Sequence, residues 1–275
     1  MASAAQQCGW RAWLAARPVA VYYALTLLMS WGYWLGLLAQ GLQVAPGTGV
    51  SHFPGLLAPL LAALLTTALG SGRAGLRAFM GRLLRRPPWP AWGWALSPLL
   101  LGAAVFGLLA AAGHGWPALH DFARFPGLPT DWPVAAVFAV VLLVNGLGEE
   151  GGWRGFLLGQ LQQRHGRFGA AWRVAALWAF WHAPLFWLNQ SMQALLGLTL
   201  LGWLFGLLCG SFVLADVHRR SAGALLPVAV WHAGYNLMVA SAAGAGLAAA
   251  LISAPVMAWG IAVARDWWRE GGTSP

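Results

Sequence analysis

The chain has 275 residues, of which 59% are hydrophobic and 8% are charged, with a formal net charge of +9. A water-soluble domain carries about 25% charged residues, so this composition excludes an ordinary soluble globular protein. All 16 basic residues are arginines, and they lie between apolar runs instead of in one patch. This distribution argues against a nucleic-acid partner and indicates contact with membrane lipid.

Apolar runs of about 20 residues recur along the chain, the length that a helix needs to cross a hydrocarbon core. They lack the alternating pattern of an outer-membrane barrel. The sequence therefore predicts an all-α, polytopic membrane protein, with one membrane domain over residues 1–275 and no soluble linker. The two cysteines, Cys8 and Cys209, show neither disulfide nor metal-type spacing.

Eight transmembrane helices are predicted in chain order. Their approximate ranges are 18–39, 53–70, 91–112, 134–150, 169–188, 193–216, 223–241 and 245–264. Residues 73–86 combine arginines with a one-sided apolar stripe, which is typical of a short amphipathic helix on the membrane surface. A further helical stretch is expected at about 152–164.

The arginines predict the topology. With eight spans and a cytoplasmic N-terminus, 15 of the 16 arginines fall on the cytoplasmic side and only Arg124 falls outside. This agrees with the positive-inside rule. We therefore expect a multi-pass protein of the cell membrane with both termini in the cytoplasm.

Two adjacent carboxylates, Glu149 and Glu150, follow the wholly apolar run 134–144 in a chain with 7 acidic residues. Helical geometry puts Glu149 about 22 Å from Val134, short of a core of about 30 Å, so both carboxylates should lie within the membrane. Arg154 is four residues beyond Glu150 and can pair with it on one helical face. Read alone, the group could be an interfacial ion pair.

The fifth and the seventh predicted spans each carry a histidine. His182 follows Trp178 by four residues and precedes Pro184, and His232 is four residues before Asn236 on one helical face. Each histidine alone could make an ordinary interhelical hydrogen bond. By contrast, the loop residues His52, His114 and His120 are expected to be solvated.

Few strongly polar side chains occur within the apolar runs, and buried polar groups need partners. We therefore expect three helices to bring their polar side chains into one intramembrane cavity. The residues are Glu149, Glu150, His182, His232 and Asn236.

These residues resemble the three motifs of the CPBP intramembrane proteases, a family that includes the type II CAAX prenyl endopeptidases. The motifs are Glu149-Glu150-x-x-x-Arg154, Trp178-x-x-x-His182 and His232-x-x-x-Asn236, within residues 130–240. Trp178 departs from the usual phenylalanine. Gly151 and Gly152 are expected to loosen the helix after the carboxylates.

The resemblance implies an eight-helix fold with a cavity open to the cytoplasmic side or inner leaflet. It also implies an intramembrane endopeptidase acting on a peptide or membrane protein. Glu149 and His182 would activate a water, and His232 and Asn236 would stabilise the oxyanion. Glu150 and Arg154 would support Glu149, with Trp178 as a further supporting residue. The chemistry is reasonable because a buried carboxylate can act as a general base and N–H groups can stabilise an oxyanion.

Two questions stay open at this level. Glu149, His182 and His232 would also make a zinc site with one open position, so a metalloprotease and a metal-independent glutamate protease both fit. The same cavity could instead serve a non-catalytic immunity or scaffold protein by binding alone. A transporter would be expected to show two related halves, and none is visible.

Overall fold

The computed structural model describes Gly9, Trp13 and residues 16–272. The predicted N-terminal tail, with Cys8 and Arg11, lies almost wholly outside the described residues. The α-helices are α1 Pro18–Ala39, α2 Phe53–Leu56, α3 Ala58–Leu83, α4 Ala91–Ala95, α5 Ser97–Ala111, α6 Leu119–Ala123, α7 Val134–Val141, α8 Glu150–Gly152, α9 Gly159–Trp181, α10 Leu185–Leu188, α11 Gln190–Gln193, α12 Leu198–Arg220, α13 Leu226–Ala240 and α14 Leu247–Gly272. Two π-helical segments, Leu142–Glu149 and Trp153–Leu158, connect α7 through α8 to α9.

The fold is that of an all-α, multi-pass membrane protein. Within the described residues, five helical stretches are long and apolar enough to cross a membrane. They are Pro18–Ala39, Phe53–Leu83, Val134–Leu188, Leu198–Arg220 and Leu247–Gly271. Ser97–Ala111 is a shorter apolar helix. The predicted fold class is thus confirmed, while the count of eight spans stays a prediction.

Two glycines break the longest helical stretches. Gly72 interrupts α3 with φ of +61°, and Gly166 interrupts α9 with φ of +62°. Positive φ is readily adopted only by residues without a Cβ. The break at Gly72 separates the apolar first part of α3 from its arginine-rich end, where the amphipathic helix was predicted.

The helix that carries both glutamates packs closely against its neighbours because its sequence is rich in glycine. A Cβ at Gly146 would lie 2.7 Å from the Ala229 carbonyl oxygen of α13. A Cβ at Gly152 would lie 2.5 Å from both the Pro59 backbone of α3 and the Tyr22 hydroxyl of α1. The backbone stays helical through Gly151 and Gly152, so these glycines permit close approach and do not end the helix.

His182 lies at the end of a helix and not in its middle as the sequence suggested. It follows Trp181, the last residue of α9, and the chain then turns through Pro184 into α10. Pro184 has no N–H and its ring opposes helix continuation. Side chains of α1 satisfy carbonyls near this end, since Tyr23 donates to Leu177 O (2.9 Å) and Trp31 donates to Trp181 O (3.0 Å).

The segment after this turn is joined to the 40–52 loop by main-chain hydrogen bonds. Val44 N donates to Leu188 O (2.8 Å), and Gln190 N donates to Val44 O (3.0 Å). Together they form a short parallel bridge between Val44 and Asn189. The turn that carries His182 is thereby fixed to a distant part of the chain.

Candidate active site

Glu149 is buried at the end of the first π-helical segment, with 2% of its surface exposed. Trp178 Nε1 donates to Glu149 Oε2 at 2.9 Å, and Asn145 Nδ2 donates to Oε1 at 3.3 Å. Both carboxylate oxygens therefore accept a hydrogen bond from a neutral group. Such bonds stabilise the ionised form of a buried carboxylate without neutralising its charge.

Glu150 is fully buried and makes a different set of contacts. Its Oε1 atom accepts from Arg154 Nη1 at 2.9 Å and lies 2.7 Å from His232 Nδ1. The Glu150–Arg154 pair is confirmed, and both side chains are inaccessible to solvent. One carboxylate thus links the first motif to the histidine of α13, 82 residues further along the chain.

Trp178 lies at the centre of the site. Its ring centroid is 4.8 Å from the Arg154 guanidinium carbon, 5.6 Å from the His182 ring and 5.5 Å from the His232 ring. Together with its hydrogen bond to Glu149, these contacts connect all three motifs. The contact with Arg154 is a cation–π interaction inside the protein.

The hydrogen bonds determine which ring nitrogen of His182 carries a proton. His182 Nδ1 lies 2.7 Å from the Trp178 carbonyl oxygen, which can only accept. Nδ1 must therefore be the protonated nitrogen, and in the neutral ring Nε2 keeps a free lone pair. The helix break at Pro184 permits this contact, because His182 N bonds to Ala179 O instead of Trp178 O.

His232 is oriented in the same way by a charged partner. Its Nδ1–H donates to Glu150 Oε1, because that oxygen already acts as an acceptor toward Arg154. A protonated His232 ring would share the Glu150 carboxylate with Arg154, with Glu149 as the second carboxylate of the site, and would present Nε2–H as a donor. A neutral ring would present Nε2 as an acceptor.

Asn236 lies one helical turn beyond His232 on α13 and is partly exposed. Within the described part of the chain, its side chain makes no hydrogen bond to protein, so its amide is available to a ligand. Asn145 was not selected from the sequence, although it contacts Glu149 directly. The sequence did contain one indication of this contact, because Asn145 is a lone polar residue after the apolar run 134–144 and one helical turn before Glu149.

The expected zinc ligands do not assemble in this arrangement. Among the described residues, no three His, Cys, Asp or Glu side chains form a group that could hold a metal ion. Both oxygens of Glu149 accept hydrogen bonds from N–H donors, and Glu149 would have to give up such a bond in order to bind a metal ion.

Comparison with known proteins agrees with the motifs. Residues 131–238 match the family model for type II CAAX prenyl endopeptidase Rce1-like proteins. The chain is also 29% identical over 142 residues to CAAX prenyl protease 2 of Methanococcus maripaludis, a match covering 51% of each chain. The chain thus matches about half the length of this curated relative. The resemblance inferred from the three motifs is confirmed: the motif-bearing region, residues 131–238, has the sequence pattern of the Rce1-like type II CAAX prenyl endopeptidases.

Proposed function

We propose that this protein is an intramembrane endopeptidase that hydrolyses a peptide bond with water activated by Glu149 and His182. One observation carries the proposal: Glu149 and Glu150, adjacent in sequence, have separate partners. Glu149 is held by neutral N–H donors, while Glu150 is tied to Arg154 and His232. Glu149 is therefore assigned as the general base, and Glu150 holds Arg154 and His232 in position.

In the first step, a water would donate one hydrogen to Glu149 and the other to His182 Nε2. These groups are suited to the task because both are acceptors, the histidine through its fixed Nδ1–H tautomer. Glu149 takes the proton as the water oxygen bonds to the carbonyl carbon of the substrate. A base at hydrogen-bonding distance from such a water typically contributes about 10²–10⁴-fold.

The tetrahedral oxyanion would form beside α13. Protonated His232, held through Nδ1 by Glu150, would donate from Nε2, and Asn236 would donate from its side-chain amide. Loss of one such donor typically costs about 10²–10³-fold in kcat. The C–N bond then breaks, and the leaving amine receives the proton that Glu149 removed from water.

We propose that the substrate is a peptide or membrane-protein segment reaching the site from the cytoplasmic side of the cell membrane, with both protein termini in the cytoplasm. The match to a protein named CAAX prenyl protease 2 supports a prenylated CAAX peptide as the first substrate to test. An unprenylated copy of the same peptide would report how much the lipid group contributes.

The test is cleavage of these peptides by purified full-length protein and its Glu149→Gln variant. We expect at least a 10²-fold loss in Glu149→Gln, since the amide cannot take a proton from water. Glu270→Gln is the matched control, because it makes the same change at an exposed carboxylate that pairs with Arg167. Equal cleavage by Glu149→Gln and wild type would refute the proposal.

Metal dependence is tested separately on the same protein. Metal content is measured alongside activity before and after treatment with a chelator. Activity that survives removal of all bound metal would support the metal-independent reaction proposed here. Activity that is lost with the metal and restored by zinc would instead support a metalloprotease.

A further inference from the structure

A second polar space lies beside the candidate active site but contains neither Glu149 nor the two motif histidines. It is a cavity of about 510 Å³ between the first part of α3, its arginine-rich end, the second π-helical segment and the loop after α12. Its polar lining includes Thr66, Arg82, Arg85, Arg154, Gln160 and His218.

The lining of this cavity is strongly cationic. Three arginines contribute to it, and none of its described lining residues is acidic. Asp216, two residues before the lining residue His218, pairs with Arg219 and Arg220, each at 2.7 Å, and does not line the cavity. The positive charge of the cavity is therefore only partly balanced, through the Glu150–Arg154 pair.

Two buried side chains in the lining have polar atoms without partners. Arg154 is 1% exposed, and among the described residues its Nε and Nη2 atoms have no hydrogen-bond partner. Thr66 is 6% exposed, and its Oγ1 atom also lacks a partner in the described part of the chain. Buried polar groups are rarely left unpaired in folded proteins, so these atoms indicate a missing acceptor.

We propose that this cavity is a binding site for a phosphate group, supplied by a free phosphate or by the headgroup of an anionic lipid. Phosphate offers several acceptor oxygens and about two negative charges, which suit a site formed by several guanidinium groups. A carboxylate would carry one charge and satisfy fewer donors. The proposal does not depend on protease activity.

The site is connected to the candidate active site through Arg154. This guanidinium uses Nη1 to bind Glu150, which in turn binds His232. Its Nε and Nη2 atoms do not bond to Glu150 and have no hydrogen-bond partner among the described residues. A phosphate accepting from them would require a small movement of the lining, because the Arg154 side chain is inaccessible to solvent in this structure, and would then hold the guanidinium from a second direction.

The test measures phosphate binding to the full chain in an uncharged detergent. Binding is followed by calorimetric titration and by the rise in thermal unfolding temperature, since a ligand of the native state stabilises it. Sodium acetate and sodium chloride at matched ionic strength serve as anion controls. Nanodiscs of phosphatidylcholine with and without phosphatidic acid distinguish a lipid source from a free anion.

The variants are Arg82→Gln and Arg85→Gln, with Arg86→Gln as the matched control because Arg86 does not line the cavity. All three positions are exposed, so the variants should fold. We expect saturable binding of phosphate or of phosphatidic acid, weakened about tenfold by each lining variant and unchanged in Arg86→Gln. Thr66→Val, which removes a hydroxyl without adding bulk, should also weaken it.

Three results would overturn the proposal. The first is no saturable binding of either phosphate or phosphatidic acid by the wild-type protein. The second is equal loss in Arg86→Gln, which would indicate general attraction to a basic surface. The third is acetate binding as tightly as phosphate, which would show that the cavity does not prefer phosphate to other anions.

Discussion

The indole Nε1–H of Trp178 donates to Glu149 Oε2 at 2.9 Å. A phenylalanine at this position could make the same ring contacts but could not donate. The residue that departs from the usual family motif is thus bonded to the proposed base, and it connects that base to Arg154 and both motif histidines.

We expect Trp178→Phe to reduce kcat about tenfold or more, because the proposed base loses one of its two hydrogen-bond donors. The measurement is kcat for both proteins. Trp203→Phe is the control, since Trp203 also packs on His182, at 5.3 Å between ring centroids. A kcat unchanged by Trp178→Phe would contradict the role assigned to this bond.

The Glu150–Arg154 pair should be important for stability as well as for orienting His232. Glu150→Gln leaves the Arg154 charge buried without a counter-ion, which typically costs about 3–5 kcal/mol. We expect a clear fall in the thermal unfolding temperature in detergent. Adding Arg154→Met should recover part of the loss, because the stranded charge is removed. Two variants whose effects simply add would show that the pair is not coupled.

The glycine contacts predict which small substitutions the helix tolerates. Gly152→Ala places a methyl group 2.5 Å from the Pro59 backbone, and overpacking of this kind costs about 1–3 kcal/mol. At Gly159, a Cβ meets nothing within 4 Å, so Gly159→Ala should be neutral or stabilising by up to about 1 kcal/mol. The measurement is the thermal unfolding temperature of each variant. Similar effects at both positions would mean that close packing at Gly152 is unimportant.

His52 predicts a loss of stability in acid. It was expected to be solvated, but it is 6% exposed, and burial lowers its pKa from 6.5 to about 4. The unfolded chain therefore binds this proton first as the pH falls. The contribution of His52 to the free energy of unfolding is complete above pH 6.5. It decreases by up to about 3 kcal/mol as the pH falls toward 4. We expect His52→Gln to flatten the dependence of unfolding temperature on pH, and the exposed His120→Gln to leave it unchanged.

The sequence was sufficient for the class of fold and for the set of polar side chains that come together. Apolar length, scarce charge and four-residue spacing are local properties, and they correctly predicted the Glu150–Arg154 pair. The same reasoning correctly placed His114 and His120 at the surface.

Other features depend on contacts between distant parts of the chain. The burial of His52 depends on packing of its loop, where a Cβ at Gly127 would lie 2.8 Å from His52 Nδ1. The π-helical turns and the tightly packed glycines reflect the approach of α3 and α13, which no local pattern records. The hydrogen bond of Trp178 required its ring orientation, so the sequence could treat it only as an aromatic replacement.

The bridge between Val44 and Asn189 is formed by main-chain atoms alone. A replacement of either side chain that fits its buried place would leave both bonds intact, so the position of His182 does not depend on the identity of these two residues. Proline at position 44 or 190 is the exception, because it would remove the amide hydrogen that each bond requires.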